Sequence, residues 1–110
     1  MNELTLQRVP FTKDADNKLR SLKAKTGLTP NILCRLAFCL SVEHSTTPPE
    51  VDMTERGREI NRYTLFGEYE TLFTSLLKVW HHEHSSPLEI NDLCIRHIHR
   101  GISLINPNKL

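Results

Sequence analysis

The sequence predicts a mainly α protein. A ribbon–helix–helix-like N-terminal unit (a short strand plus two helices) precedes two further helices, and the chain is expected to be oligomeric. Three observations carry this. Apolar residues recur every three or four positions over most of the chain. One short alternating stretch near the N-terminus has no evident partner strand. The second helical segment is apolar on nearly every side.

The alternating stretch is Leu4-Thr5-Leu6-Gln7-Arg8-Val9, with Leu4 and Leu6 on one face and Thr5 and Gln7 on the other. Pro10 is expected to end it, since proline donates nothing to a ladder. A lone strand is unstable, so pairing with a second copy of the chain is the expectation. Thr12 then serves as an N-cap and Gly27 as a left-handed C-terminal stop. Between them Ala15, Leu19, Leu22 and Thr26 form a narrow apolar stripe, and the polar surface is rich in Lys and Arg.

Thr29-Pro30 opens a second helix, a cap followed by proline at the first helical position. Its run Ile32-Leu33-Cys34-Arg35-Leu36-Ala37-Phe38-Cys39-Leu40 is too apolar for one small subunit to enclose, which predicts a subunit interface there. Residues 43–58 read as a loop, marked by Ser45-Thr46-Thr47-Pro48-Pro49 and Gly57. A third helix carries Ile60, Tyr63, Phe66, Tyr69, Leu72 or Phe73, Leu76 and Trp80, ending near His84. Ser86-Pro87 restarts the chain, and a fourth helix carries Ile90, Leu93, Cys94, Ile98, Ile102 and Ile105 before Pro107. The 110 residues thus form one domain, 1–110: a strand–helix–helix unit over 1–42, a loop over 43–58 and a helical unit over 59–110.

Charge is divided unevenly. Residues 1–42 hold seven Lys/Arg and three acids, formally +4, whereas residues 43–110 hold seven Lys/Arg and ten acids, formally −3. A phosphate-facing N-terminal half has this polarity. No apolar run is long enough to span a bilayer. Met1-Asn2-Glu3-Leu4 lacks the basic start and apolar stretch of a secretory leader, so the expected location is cytoplasmic. Three cysteines, Cys34, Cys39 and Cys94, form no even disulfide set, and the first two sit in apolar sequence as buried thiols.

The strand–helix–turn–helix order is that of DNA binders whose paired strands form a ribbon. In that reading Thr5 and Gln7 occupy an exposed ribbon face, the lysines meet phosphates, and backbone N–H groups at Thr29-Pro30-Asn31 face a phosphate. The same features also suit a strand that only mediates dimer formation and lysines that only solvate a helix. A second cluster, His81-x2-His84 with Cys94-x2-His97, has permitted zinc spacing, with His82 and His99 nearby. It lacks paired CxxC motifs, and histidines at a helix end also suit the dipole, so no metal and no cofactor is assigned. Carboxylate pairs such as Glu68 with Glu70 and Glu89 with Asp92 lie on helix surfaces. No glycine-rich phosphate loop, nucleophile elbow or HExxH appears, so no enzymatic activity is expected.

Two longer strings are more specific. Leu22-Lys23-Ala24-Lys25-Thr26-Gly27-Leu28-Thr29-Pro30-Asn31-Ile32-Leu33-Cys34-Arg35 and Glu59-Ile60-Asn61-Arg62-Tyr63-Thr64-Leu65-Phe66-Gly67-Glu68-Tyr69 resemble the DndE family of DNA sulfur modification proteins. His97-Ile98-His99-Arg100-Gly101-Ile102 is similar to the family's ending. The resemblance implies a non-catalytic, homotetrameric subunit of the machinery that replaces a non-bridging DNA phosphate oxygen by sulfur. It implies binding to double-stranded DNA with a preference for nicks, beside the other proteins of that complex. Lys13, Lys18, Arg20, Lys23 and Lys25 are the expected phosphate contacts, taken from the basic helix and not from a matched motif. A ribbon–helix–helix transcription regulator reading sequence through Thr5 and Gln7, and a protein-only assembly scaffold, are the alternatives.

Overall fold

The ribbon closes within one chain. In the computed structural model, which describes residues 3–110, β1 (Arg8–Thr12) pairs antiparallel with β2 (Arg56–Asn61). Arg8 lies opposite Asn61, Val9 opposite Ile60 and Pro10 opposite Glu59, with a register shift before Thr12 meets Arg56. Met1 and Asn2, which bear on the expected absence of a leader, lie outside the described residues.

Two features of this region depart from the sequence expectation. The strand runs through Pro10, because each strand of a two-stranded ribbon is an edge and can turn a missing N–H outward. Its partner is β2, whose first three residues fall inside the expected 43–58 loop, so no second copy is needed to pair it. Leu4–Gln7 is an arm: Asn91 Oδ1 accepts from the backbone N–H of Thr5 (2.8 Å) and Leu6 (3.3 Å). Leu4 and Leu6 pack on the core.

α1 (Lys13–Thr26) and α2 (Pro30–Val42) start and stop where local chemistry dictates. Thr12 caps α1 by accepting from Ala15 N–H at 3.0 Å, and Gly27 ends it at φ 77°. Thr29 caps α2 with Pro30 at its first position. The expected third helix is three pieces: α3 (Arg62–Phe66), a 3-10 turn (Gly67–Tyr69) and α4 (Glu70–Glu83). The break falls at Gly67, φ 57°, where a Cβ would stand 2.7 Å from Arg35 Nη2. Arg35 fills that space and donates from Nε to Leu65 O at 2.7 Å, holding the carbonyl end of α3. Ile60 belongs to β2, not to a helix.

α5 (Ile90–Leu104) is the central helix, packed most extensively on α2. At their crossing Gly101 lies directly on Ala37 O, so the two backbones touch. This contact encloses α2 within the monomer. Leu33, Cys34, Ala37 and Phe38 are fully buried, Leu36 and Leu40 are partly buried against the core, and Ile32 is exposed. The expectation that α2 needs a neighbouring subunit for its burial therefore fails. Phe38 sits edge-on to Phe66 and Phe73, with centroids at 6.2 and 5.5 Å. One core joins the N-terminal and C-terminal halves. No helix is long and apolar enough to cross a membrane among the described residues.

Candidate nucleic-acid interface

The candidate surface starts from α1, whose inner face is Ala15, Asp16, Leu19 and Leu22. Asp16 is 5 % exposed, an unusual place for a carboxylate. Arg58 explains it, donating from Nε to Oδ1 (2.6 Å) and from its backbone N–H to Oδ2 (3.0 Å). Arg20 adds a longer bond at 3.4 Å. Burial pushes the Asp16 carboxyl up, but the hydrogen bonds from Arg58 and Arg20 outweigh it and hold the group below the usual range. Gly57 permits the approach, since a Cβ there would stand 2.7 Å from Asp16 Oδ2. Asp16 thus fixes α1 to the ribbon and sets which helix face points out.

The outward arc carries the cations. Lys13, Arg20, Lys23 and Lys25 are exposed and Lys18 is half-buried. At about 100° per residue, Lys13 and Arg20 lie along one flank with Lys23 beyond them, and Lys18 and Lys25 lie along the other. The five do not form one patch. Two rows run along α1, separated by the exposed residues Asp14, Asn17, Ser21 and Ala24, of which Asp14 alone is charged.

The remaining cations sort by whether they have structural work. Arg62 pairs with Glu70 (2.9 Å) and binds Leu4 O (2.8 Å). Arg96 pairs with Asp92 (3.0 Å), and Lys78 with Glu3 (2.9 Å). Arg100 donates to Ser41 Oγ, Ser41 O and Thr46 O, all within 2.9 Å, tying the loop before β2 to α5. By contrast Lys13, Lys18, Lys23, Lys25, Arg56 and, at the far end of the chain, Lys109 have no ion-pair partner among the described residues. Arg20 is shared, two-thirds exposed yet bonded to Asp16. Arg56 is absent from the sequence candidates because its strand begins in a segment with the composition of a loop.

Other expected contacts fall away. Thr5 is tied up by Asn91, through its N–H and through Asn91 Nδ2 donating to its Oγ1 at 2.7 Å. Gln7 precedes β1, and its carbonyl accepts from Arg62 N–H. Neither stands on a ribbon face. At the start of α2, Pro30 has no N–H, Ile32 donates to Thr29 Oγ1 and Leu33 donates to Thr29 O. Two donors, Thr29 N–H and Asn31 N–H, are left for a phosphate among the described residues. A cleft of about 420 Å³ beside the N-terminus of α1 is lined by Asp14, Glu50, Asp52 and Glu55 as well as Lys13 and Arg100. That acidic wall bounds the basic surface on one side.

The His/Cys cluster is dispersed. His81 Nε2 meets Leu88 O (2.9 Å), and His84 stacks on Trp80 at 3.9 Å with Nδ1 on Trp80 O. Cys94 and His97 are fully buried. No group of three or more His, Cys, Asp or Glu converges as a metal site among the described residues. Burial pushes the Cys34 and Cys94 thiols up to about 12. His97 Nδ1 lies 2.7 Å from Ser41 Oγ, but both residues are fully buried between α2 and α5, where no substrate reaches them.

Comparisons with known proteins agree with this architecture. The crystal structure of DndE from Escherichia coli B7A, described as involved in DNA phosphorothioation modification, is 28% identical with a TM-score of 0.74, covering 93% of this chain and 98% of that one. A crystal structure of a DndE mutant, described as involved in DNA phosphorothioation, is 24% identical with a TM-score of 0.68, covering 90% and 95%. No curated relative matches the chain. The family described as DNA sulphur modification protein DndE matches residues 8–110. With nearly the whole length matched, the chain belongs to the DndE family of DNA sulphur modification proteins.

Proposed function

We propose that this protein is a non-catalytic DNA-binding subunit of the DNA phosphorothioation machinery, acting in the cytoplasm. It holds duplex DNA, with a preference for nicks, while partner proteins of the machinery perform the chemistry. The observation that carries this reading is the sorting of cations. Four lysines of α1 have no ion-pair partner among the described residues, whereas Arg58, Arg62, Arg96 and Arg100 are engaged inside the fold. Unpaired lysines on one helix suit phosphate contact, which is strong and independent of sequence. A nicked duplex bends at lower cost, which favours it on any surface that deforms DNA. The non-catalytic part rests on the burial of Cys34, Cys94 and the Ser41–His97 pair, which leaves those nucleophiles without access, whereas Cys39, expected buried, is partly exposed.

Self-association belongs to the same reading. Leu72, Leu76 and Val79 form an exposed apolar stripe along α4, extended by Tyr69 of the preceding 3-10 turn, each more than a third accessible. A second copy meeting that stripe would begin a homotetramer and multiply the lysine rows on one duplex.

The test is fluorescence anisotropy with two duplexes of one sequence, intact and singly nicked, across a salt series. The expected result is tighter binding to the nicked duplex, with log K falling by about 0.9 per phosphate contact as log salt rises. Binding to neither duplex at low salt would replace this reading by a protein-only scaffold.

A further inference from the structure

We infer that α1 lies lengthwise in the major groove, with Asn17 at the base edges; this deepens the DNA-binding reading above and rests on it. The order of side chains around the helix points there. A helix resting across the phosphates would carry its charges along its outermost line. Here that line opens on Asp14 in the first turn and continues as Asn17, Ser21 and Ala24, small, uncharged and exposed. The cations stand to either side, Lys13 and Arg20 on one flank and Lys18 and Lys25 on the other. A groove supplies that arrangement, with bases at its floor and one strand's phosphates along each wall.

The dimensions agree. A helix with its side chains is about 10–12 Å across, and the major groove is about 12 Å wide. The small central residues let the helix axis approach the floor, while the long lysine stems reach outward and up to both strands. The central side chains are also of the types that read bases: asparagine bidentate to adenine, serine to either base, alanine against a thymine methyl. Asp14 heads the same line and lines the acidic cleft at the start of α1, so insertion begins one turn later, at Asn17. The ribbon is the poorer groove element, since its Arg8 is paired with Glu59 at 3.8 Å and Pro10 occupies its middle.

Groove-selective competitors on the unaltered protein test the placement. Methyl green, which occupies the major groove, should displace the protein from a duplex, and netropsin, which occupies the minor groove, should not. Ala24→Trp puts bulk on the exposed line without touching the core, so it should fold normally by circular dichroism and lose affinity by about tenfold or more. In selection from randomised duplexes the unaltered protein should enrich A·T pairs and Asn17→Ala should not; no enrichment by the unaltered protein would overturn the place of Asn17 at the base edges. Displacement by netropsin alone, or Ala24→Trp binding within about twofold of the unaltered protein, would overturn the groove placement while leaving phosphate binding intact. Absence of binding without any competitor would instead remove the DNA-binding reading itself.

Discussion

His97 and Asp16 are both buried and ionisable, but pH acts on them in different windows. One nitrogen of His97 faces Ser41 Oγ and the other, Nε2, has no partner among the described residues. Burial, then the nearby Arg100 and His84, push its basicity down from 6.5 to about 3. The native state therefore holds it neutral. Its stabilising effect is complete above pH 6.5 and is withdrawn as pH falls from there toward 3, by at most about 5 kcal/mol at 1.36 kcal/mol per pH unit. The urea midpoint should drop through that window, and His97→Gln should flatten the slope; a midpoint constant from pH 7 to pH 4 would refute the assignment. Asp16, held below its ordinary 3.8, acts at lower pH: its contribution is present above that value and is lost on further acidification. Asp16→Ala should cost about 2 kcal/mol at neutral pH, because it strands Arg58 against the core side of the ribbon. Gly101→Ala should cost about 3 kcal/mol by forcing α2 and α5 apart at Ala37, a loss visible as a lower melting temperature.

Among the elements, helix ends and helix interiors differ in what decides them. The ends of α1 and the start of α2 depend on neighbours in sequence, and Thr12, Gly27 and Thr29-Pro30 mark them as written. The break between α3 and α4 depends on Arg35, which is remote in sequence and occupies the space a side chain at Gly67 would need. Gly67→Ala should therefore destabilise by about 1–2 kcal/mol, since a methyl group there both strains the left-handed backbone and pushes Arg35 aside. The basic rows of α1 make a different prediction. Lys18→Ala with Lys25→Ala should lower the salt slope of DNA binding by about 0.9 for each phosphate no longer neutralised, with melting changed little. A slope unchanged by the pair would take that flank off the DNA.

For the molecule as a whole, apolar side chains divide into those buried in the core and those left exposed. Phe38 belongs to the monomer core, so Phe38→Asp should unfold the chain and not merely dissociate it. The exposed stripe of α4 gives the opposite expectation. Leu76→Lys should leave the monomer folded by circular dichroism while light scattering reports a smaller particle. If the particle size is unchanged, the α4 stripe is not where copies meet.

The helical class, the caps, the apolar stripe of α5 and the concentration of lysines on α1 are legible in the amino-acid order, because each depends on residues within a few positions of one another. The matched strings also carry the family. Long-range packing settles the rest. β2 does not alternate cleanly in hydropathy and exists because β1, two helices earlier in the chain, pairs with it. α2 reads as too apolar for one subunit because the glycine contact that seats α5 against it lies far along the chain. The lysine surface itself is legible, but which cations remain free on it is not. An arginine written in sequence is the same whether its guanidinium meets Asp16 inside the fold or a phosphate outside it, and only packing makes that choice.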